Sequence, residues 1–391
     1  MTTPFIDETL QTLKEAGLYR TLRTLESSPT PKATLDGKKV LLFSSNNYLG
    51  LSNHPKVIEA AVQATKEFGV GGTASRLISG NLKLYAALEE KLARLKGTEA
   101  AVVFSSGYAA NLGTIQALVS SGDLILIDKL NHASIIDGCR LSGARLHTYR
   151  HKKMDLLKAH LEKSDPTRKT LIITDGVFSM DGDLAPLPEI VSLAEKYGAM
   201  VMVDDAHATG VLGKGGGGSA SHFNIRNPEL IQMGTLSKAL GALGGFVSGS
   251  KTLIYFLVNE ARSLIYSTAL PPPVLASAIA SLEILETTPE LLKEFWEKVE
   301  FLKKGLLALG YDLMGTESHI LPILLGESEL AVSFSKALFE EGLFIPSIRP
   351  PTVPKGTSRL RMTLMATHSD DDLEQALAVL KRVGRKFGVI S

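Results

Sequence analysis

One cysteine, Cys139, stands in the 391 residues. A disulfide within the chain is therefore impossible, and a thiolate zinc site would lack its ligands. Cys139 falls in Ser134–Leu141, where a helix is expected to begin, and it reads as a buried small residue. An excess of charge of either sign is also missing: 42 Lys and Arg stand against 41 Asp and Glu, a net charge of +1. That balance argues against a nucleic-acid binder, which needs a basic face. The short basic cluster His151-Lys152-Lys153 reads as a solvated face. No apolar run reaches the roughly 18 residues that a membrane-spanning helix needs. The first residues, Met-Thr-Thr-Pro-Phe-Ile-Asp-Glu-Thr, show no basic stretch followed by an apolar one, so no signal peptide is expected and the cytoplasm is the expected location. Neither G-x-x-x-x-G-K-[ST] nor G-x-S-x-G occurs, which removes support for a P-loop nucleotidase and for the usual serine-hydrolase elbow.

Hydrophobic residues make up 44% of the chain, enough for a large core without staples. At roughly 100–200 residues per domain, the length suggests one large and one smaller domain. An amphipathic helix is expected over Ile6–Leu25, with Leu10, Leu13, Leu22 and Leu25 on one side and Gly17 weakening it. A strand is expected at Lys39–Phe43. Between Pro55 and Ser250, short Val- and Ile-rich runs at Ala100–Ser105, Leu124–Ile127, Arg145–Tyr149, Thr170–Thr174, Ala199–Val203, Leu230–Met233 and Gly245–Ser248 alternate with helical stretches such as Leu84–Leu95, Ala109–Val119 and Pro188–Tyr197. Strand–helix alternation on this scale predicts an α/β layer around a mostly parallel sheet. Beyond Pro271–Pro273 a long helix is expected from Val274 to about Gly310, interrupted near Thr287–Pro289. The remaining chain reads as a smaller α+β part, with strands at Ile320–Leu325, Leu343–Pro346 and Arg359–Met365, a helix at Leu330–Glu341, and a last helix from Leu373 to about Phe387 announced by a Ser369/Asp372 capping box. The expected divisions are an N-terminal segment over 1–50, a large domain over 51–285 and a C-terminal domain over 286–391.

Three segments carry chemistry. Asp204-Asp205-Ala206-His207 ends an apolar run, and ligands bind at the carboxyl ends of parallel strands. Read alone it is equally a helix cap or a turn; a metal reading lacks further ligands at a recognisable spacing, and no metal is expected. Thr235-Leu236-Ser237-Lys238 puts a lysine just past the next strand, with Gly241, Gly244 and Gly245 following. Alone it reads as a surface lysine, but a lysine in apolar surroundings is costly unless it is neutralised, paired or covalently bonded. Ser106-Gly107-Tyr108 joins a strand to a helix, where free N–H groups can seat a phosphate or simply make a turn. A covalent lysine, an acid and a phosphate seat are the fixtures that pyridoxal 5′-phosphate (PLP) requires. Gly213-Lys-Gly215-Gly-Gly-Gly218 satisfies G-x-G-x-x-G but neither follows a strand directly nor opens a helix pattern, so it reads as a flexible loop and not as a dinucleotide site.

With Ser45-Asn-Asn-Tyr-Leu-Gly-Leu51, Asn131-His-Ala-Ser134, Asp175-Gly-Val-Phe-Ser-Met-Asp-Gly182, Tyr266-Ser-Thr-Ala-Leu-Pro-Pro272 and Arg359-Leu-Arg361 added to these, the chain resembles the α-oxoamine synthases, PLP-dependent enzymes of fold type I, over nearly its whole length. Ala208 departs from the Gly or Ser often found after the histidine. The resemblance implies a large domain with a seven-stranded, mostly parallel sheet and a homodimer with sites at the subunit interface. It implies four catalytic residues: Lys238 carrying the cofactor, Asp204 on the pyridinium, His207 on the phenolic oxygen and His132 on the ring face, where it also reaches substrate. Ser106, Gly107, Tyr108, Ser179 and Thr235 match further cofactor positions, and Thr268 matches a residue that reaches the neighbouring subunit's phosphate. Arg361 matches the holder of the amino-acid carboxylate; Asn46, Arg20, Arg349 and Thr352 match other substrate positions.

Ile348-Arg-Pro-Pro-Thr-Val-Pro354 is similar to the branch that works in biotin synthesis. The implied reaction is the decarboxylative condensation of L-alanine with pimeloyl-CoA, or the same acyl group on a carrier protein, to 8-amino-7-oxononanoate, CoA and CO2. The alternatives are the sister condensation of glycine with acetyl-CoA and a non-catalytic partner subunit of the same fold. Subunits of that kind typically lack the lysine that stands here as Lys238.

Overall fold

The structure is a computed structural model that describes residues 3–15 and 18–391. In chain order the strands are β1 (Lys32–Leu35), β2 (Lys38–Leu42), β3 (Ala100–Phe104), β4 (Leu124–Asp128), β5 (Arg145–Tyr149), β6 (Thr170–Asp175), β7 (Met200–Asp204), β8 (Ile231–Thr235), β9 (Gly245–Gly249), β10 (Ile320–Gly326), β11 (Leu343–Phe344), β12 (Ser347–Ile348) and β13 (Ser358–Thr363). The seven expected apolar runs form one sheet in the order β3-β9-β8-β7-β6-β4-β5. Neighbours from β8 through β5 are parallel, and only β9 runs antiparallel to its two partners. The expected α/β class and mostly parallel sheet are both observed.

Alternation along each strand explains why these runs are apolar throughout. Ile125, Ile127, Leu171, Ile173 and Met202 enter the core on one face of the sheet. Their neighbours Leu126, Ile172, Val201 and Val203 enter the core on the other. Helices cover both faces, so both sets of side chains leave water, at about 1.5–3 kcal/mol for each fully buried one. The parallel direction has a consequence for chemistry. The ends of β3, β4, β6, β7 and β8 all face one side, and Asp175 lies beside Asp204 in register.

A second core packs the C-terminal elements against the first segments of the chain, joining Leu41, Phe43 and Tyr48 to Leu321, Ile323, Leu360 and Met362. β10 and β12 flank β13 antiparallel, with Pro322 opposite Arg361. The long helix is split as expected, into Pro272–Thr287 and Pro289–Ala308. The final helix, Asp370–Lys386, starts on the expected capping box, with Ser369 and Asp372 bonded reciprocally. Among the described residues no helix is long and apolar enough to cross a membrane.

Two expectations change. The helix expected over Ile6–Leu25 covers only Pro4–Glu15 and buries none of its residues; Ala16 and Gly17 lie outside the described residues. Leu18–Thr24 is not helical, and Leu25 pairs with Leu35 instead. The backbones of Thr24 and Glu26 bond Asp36 and Thr34, so pairing onto a hairpin wins over an isolated helix with nothing to pack on. That hairpin, β1–β2, contains a strand the hydrophobic pattern misses. Its signal is Asp36-Gly37, both at positive φ, the preferred pair for a tight two-residue turn.

The loop after β6 is pinned from below. His151 bonds Asp128 through Nδ1 at 3.0 Å and Asp183 through Nε2 at 2.9 Å, while Lys152 reaches Asp183 at 3.1 Å and Glu317 at 3.3 Å. Burial opposes charge on His151, but the two carboxylates outweigh it and raise the imidazole from 6.5 to about 9. A raised pKa stabilises the fold fully below the unfolded value of 6.5, and the contribution is lost as pH rises through about 9. The melting-temperature gap between the parent and His151→Gln is expected to be widest near pH ~6 and to shrink above pH ~9. A gap independent of pH would show that the imidazole is not charged in the fold.

Candidate active site

A cavity of about 220 Å³ opens at the strand ends and is lined by Ser106, Gly107, Tyr108, Asn111, His132, Asp175, Asp204, His207, Thr235 and Lys238, among others. Each arrives by a different route. β7 delivers Asp204 and β6 delivers Asp175. The short turn after β8 delivers Lys238. Its Thr235 hydroxyl bonds the Gly244 carbonyl at 2.8 Å and shares a 2.7 Å bond with Ser237. The turn after β3 delivers the start of the helix Gly107–Leu118, with Ser106 as cap accepting from the Ala109 N–H at 3.0 Å. Glycine is required where this turn meets β9, because a side chain at Gly245 would run into the backbone of Ser106 and Gly107.

Asp204 is held from two sides. It accepts from the Ala206 N–H at 2.9 Å and from Asn111 Nδ2 at 2.8 Å. Asn111 also donates to the Ser134 hydroxyl, and that hydroxyl lies 2.7 Å from Nδ1 of His132. Nδ1 also accepts from the Ser134 N–H at 3.2 Å, which leaves the proton of the neutral ring on Nε2. The His132 backbone N–H donates to Asp175 at 3.0 Å. Asp175 is pushed well above the ordinary carboxylate range, by burial and then by the adjacent Asp204. Burial also lowers Lys238, to about 8, against the partial opposition of Asp204.

Arg361 occupies the next layer. Its Nε donates to the Ser179 carbonyl at 2.6 Å, and its two terminal nitrogens reach Asn46 Oδ1 at 3.2 Å and the Tyr48 hydroxyl at 3.4 Å. The same hydroxyl shares a 2.7 Å bond with Nδ1 of His207. Burial, then Lys238 and Arg361, hold His207 well below its ordinary pKa, as a neutral ring.

The structure thus gathers Ser106, Gly107, Tyr108, His132, Asp204, His207, Thr235 and Lys238 around one space, and links Arg361 and Asn46 to it through Tyr48. Ser179 lies a layer out, offering its carbonyl to Arg361. Arg20, Arg349 and Thr352 line a separate cavity of about 250 Å³ with Leu18, Ser347, Ile348 and Pro350. Thr268 is exposed, bridged to Ser75, and outside both cavities. Sequence reasoning passed over Asn111, Asp175 and Tyr48. Asn111 had a usable signal: it stands four residues after Gly107, on the same face of that helix. Asp175 had another, at the end of a strand beside the one that ends in Asp204.

The chain matches the aminotransferase class I and II family over residues 38–380. It belongs to that family. It is 52% identical over 384 residues to an 8-amino-7-oxononanoate synthase of Geobacter sulfurreducens, covering 97% of this chain and 98% of the relative. A serine palmitoyltransferase of S. paucimobilis, solved with bound PLP and myriocin, matches with a TM-score of 0.93 at 34% identity, covering 98% of each chain. An 8-amino-7-oxononanoate synthase of Francisella tularensis matches with a TM-score of 0.76 at 31% identity, covering 89% of this chain and 98% of that one. The resemblance to α-oxoamine synthases holds across sequence and structure.

The residues present fit PLP. Asn111 carries a buried Oδ1 without a partner among the described residues, directly behind Asp204. The cavity has a helix N-terminus for an anion at one side and a lysine and carboxylates at the other. If Lys238 is the group that captures the aldehyde, the rate of PLP uptake by the cofactor-free protein will rise with pH and level off above about 8. A rate still climbing toward the ~10.4 of an ordinary lysine would contradict the buried amine.

Proposed function

We propose that the protein condenses L-alanine with a pimeloyl thioester, releasing CO2 and the thiol and giving 8-amino-7-oxononanoate, with PLP as cofactor. The observation that carries this reading is the single cavity shared by Lys238, Asp204 and the helix start at Gly107. The choice of substrate is supported by relatives 48–52% identical over nearly the full chain, which are named for that product. The serine palmitoyltransferase superposes more closely, but at 34% identity its backbone reports the fold and not the acyl or amino-acid pocket.

When bound, PLP supplies an aldehyde that takes up the amine of an amino acid and a ring that delocalises the electron pair left as the α-proton departs. The residues do the rest. Asp204, oriented by Asn111 and the Ala206 N–H, would hold a proton on the ring nitrogen. N–H groups at Gly107 and Tyr108, at the helix start that Ser106 caps through the Ala109 N–H, would bind the phosphate. His207, neutral and steadied by Tyr48, would face the phenolic oxygen. His132, fixed through Ser134 and Asp175, would contact the ring when it is bound. Lys238 takes the α-proton and later returns one, a task suited to an amine whose pKa is about 8. The planar guanidinium of Arg361, already anchored by Ser179 and Asn46, binds the alanine carboxylate. Its strand neighbours lead to Arg20, Arg349 and Thr352, whose cavity receives the acyl chain and its far carboxylate.

A second copy of the chain completes the site in this reading. Val70, Leu77, Ile78 and Tyr266 are large, apolar and exposed, in the segments that meet at the Ser75–Thr268 bridge. Exposed large apolar side chains on neighbouring segments favour a protein partner, and Thr268, on one of those segments, is then available to the other subunit.

Turnover with alanine, glycine or serine, each paired with pimeloyl-CoA, acetyl-CoA or palmitoyl-CoA, tests the reading. Alanine with pimeloyl-CoA is expected to exceed glycine with the same thioester by roughly 10–100-fold in kcat/KM, the range one methyl group can supply. Preference for glycine with acetyl-CoA, or for serine with palmitoyl-CoA, would replace this assignment with a sister condensation.

A further inference from the structure

The run Gly213–Gly218 is neither a dinucleotide site nor loose. Gly216, Gly217, Gly218 and Ser219 are buried, and the turn folds around an ion pair. Lys96 Nζ lies 2.6 Å from Asp205 Oδ2, and both side chains are fully shielded from water. Asp205 also accepts from the Ser219 N–H at 3.0 Å and the Ser219 hydroxyl at 2.5 Å. Two glycines make room for this. A side chain at Gly218 would occupy the space of the Asp205 carboxylate and the Lys96 ammonium, and one at Gly176 would strike Asp205 and Ser219.

The pair sits directly behind the cavity. Successive residues leaving a strand point to opposite sides, so Asp204 faces the cavity through Asn111 while Asp205 faces away toward Lys96. The Asp205 N–H donates to the Met233 carbonyl on β8, and the Asp205 carbonyl accepts from the N–H groups of Ala208 and Thr209, so the same residue starts the turn that carries His207. Lys96 closes the helix Lys83–Lys96, where a cation is favoured by the helix dipole, and its carbonyl accepts from Gln232 on β8.

Burying two charges does not by itself favour the fold over an apolar pair of the same volume. What the pair adds is a direction. A carboxylate with three donors has one allowed position, and it sets the backbone between Asp204 and His207. We infer that Lys96, Asp205 and Ser219 are positioning residues for the reaction. They hold Asp204 and His207 in place from the side opposite the cofactor, and the glycine-rich turn keeps water out of their ion pair. This inference rests on the function proposed above.

The test is Lys96→Met combined with Asp205→Asn, which removes both charges but keeps the packing and an acceptor for Ser219. Two readouts apply: amide hydrogen exchange at Ala206, Ala208 and Thr209, with and without added PLP, and the split between kcat and KM for alanine. Exchange at these amides is expected to accelerate by ~10-fold or more relative to the strands, as a segment that opens locally would. Turnover is expected to fall ~10–100-fold, the scale of a small misplacement of reacting groups, while KM for alanine stays within ~2-fold because Arg361 is untouched. Unchanged exchange with intact kcat would overturn the inference, as would an equal loss in all strands. Should the double variant not fold, Ser219→Ala decides: it keeps both charges, and faster exchange at the same three amides supports the inference while parental exchange overturns it. A parent protein that binds no PLP or does not use alanine would sink the functional reading, and exchange without PLP would still judge the ion pair.

Discussion

The site depends on a lysine amine held out of water beside carboxylates. Lys238 in the open would hold its proton tightly at neutral pH; pressed into the cavity wall it falls to about 8, close enough to neutrality to give up and regain that proton. Burial alone would lower it further, and Asp204 restrains the fall. Asp175 shows the other side of the same desolvation. Burial and the adjacent Asp204 push its carboxyl well above the ordinary carboxylate range, while it accepts from the His132 N–H. The apolar layers on both faces of the sheet make this possible, because they leave the strand ends for polar groups to converge on.

Around that centre the polar groups form connected chains and not isolated contacts. Asp204, Asn111, Ser134 and His132 are one chain of hydrogen bonds; His207, Tyr48, Asn46 and Arg361 are another. The first ties three strand ends of the sheet together. The second ties the sheet to β13 and, through Ser179, to the loop pinned by His151. A change in how the C-terminal elements sit would therefore move Arg361 and His207 together.

Much of this was legible in the sequence, for reasons that can be stated. Strands buried on both faces have no choice but to be continuous apolar runs, so the sheet could be read directly. Asp204 and Lys238 could be read because each ends such a run with a group that apolar surroundings do not tolerate. The short elements were harder. β1 has four residues and no hydrophobic period of its own, and only the Asp36-Gly37 turn gives it away. Leu22 and Leu25 continue a helical spacing by chance, and pairing with the hairpin decides their conformation. The Lys96–Asp205 pair was out of reach, since the partners are separated by more than a hundred residues and no pattern in either segment names the other. Thr268 illustrates a different gap: it is exposed and lies outside both cavities, and no strand or helix period around it marks a site.

The most direct measurement is a crystal structure of the protein grown with PLP. The account predicts continuous density between Lys238 Nζ and the aldehyde carbon, the ring nitrogen within hydrogen-bond distance of Asp204, and the phosphate at the helix start of Gly107. A ring bound with its nitrogen turned away from Asp204, or PLP attached to another lysine, would contradict it.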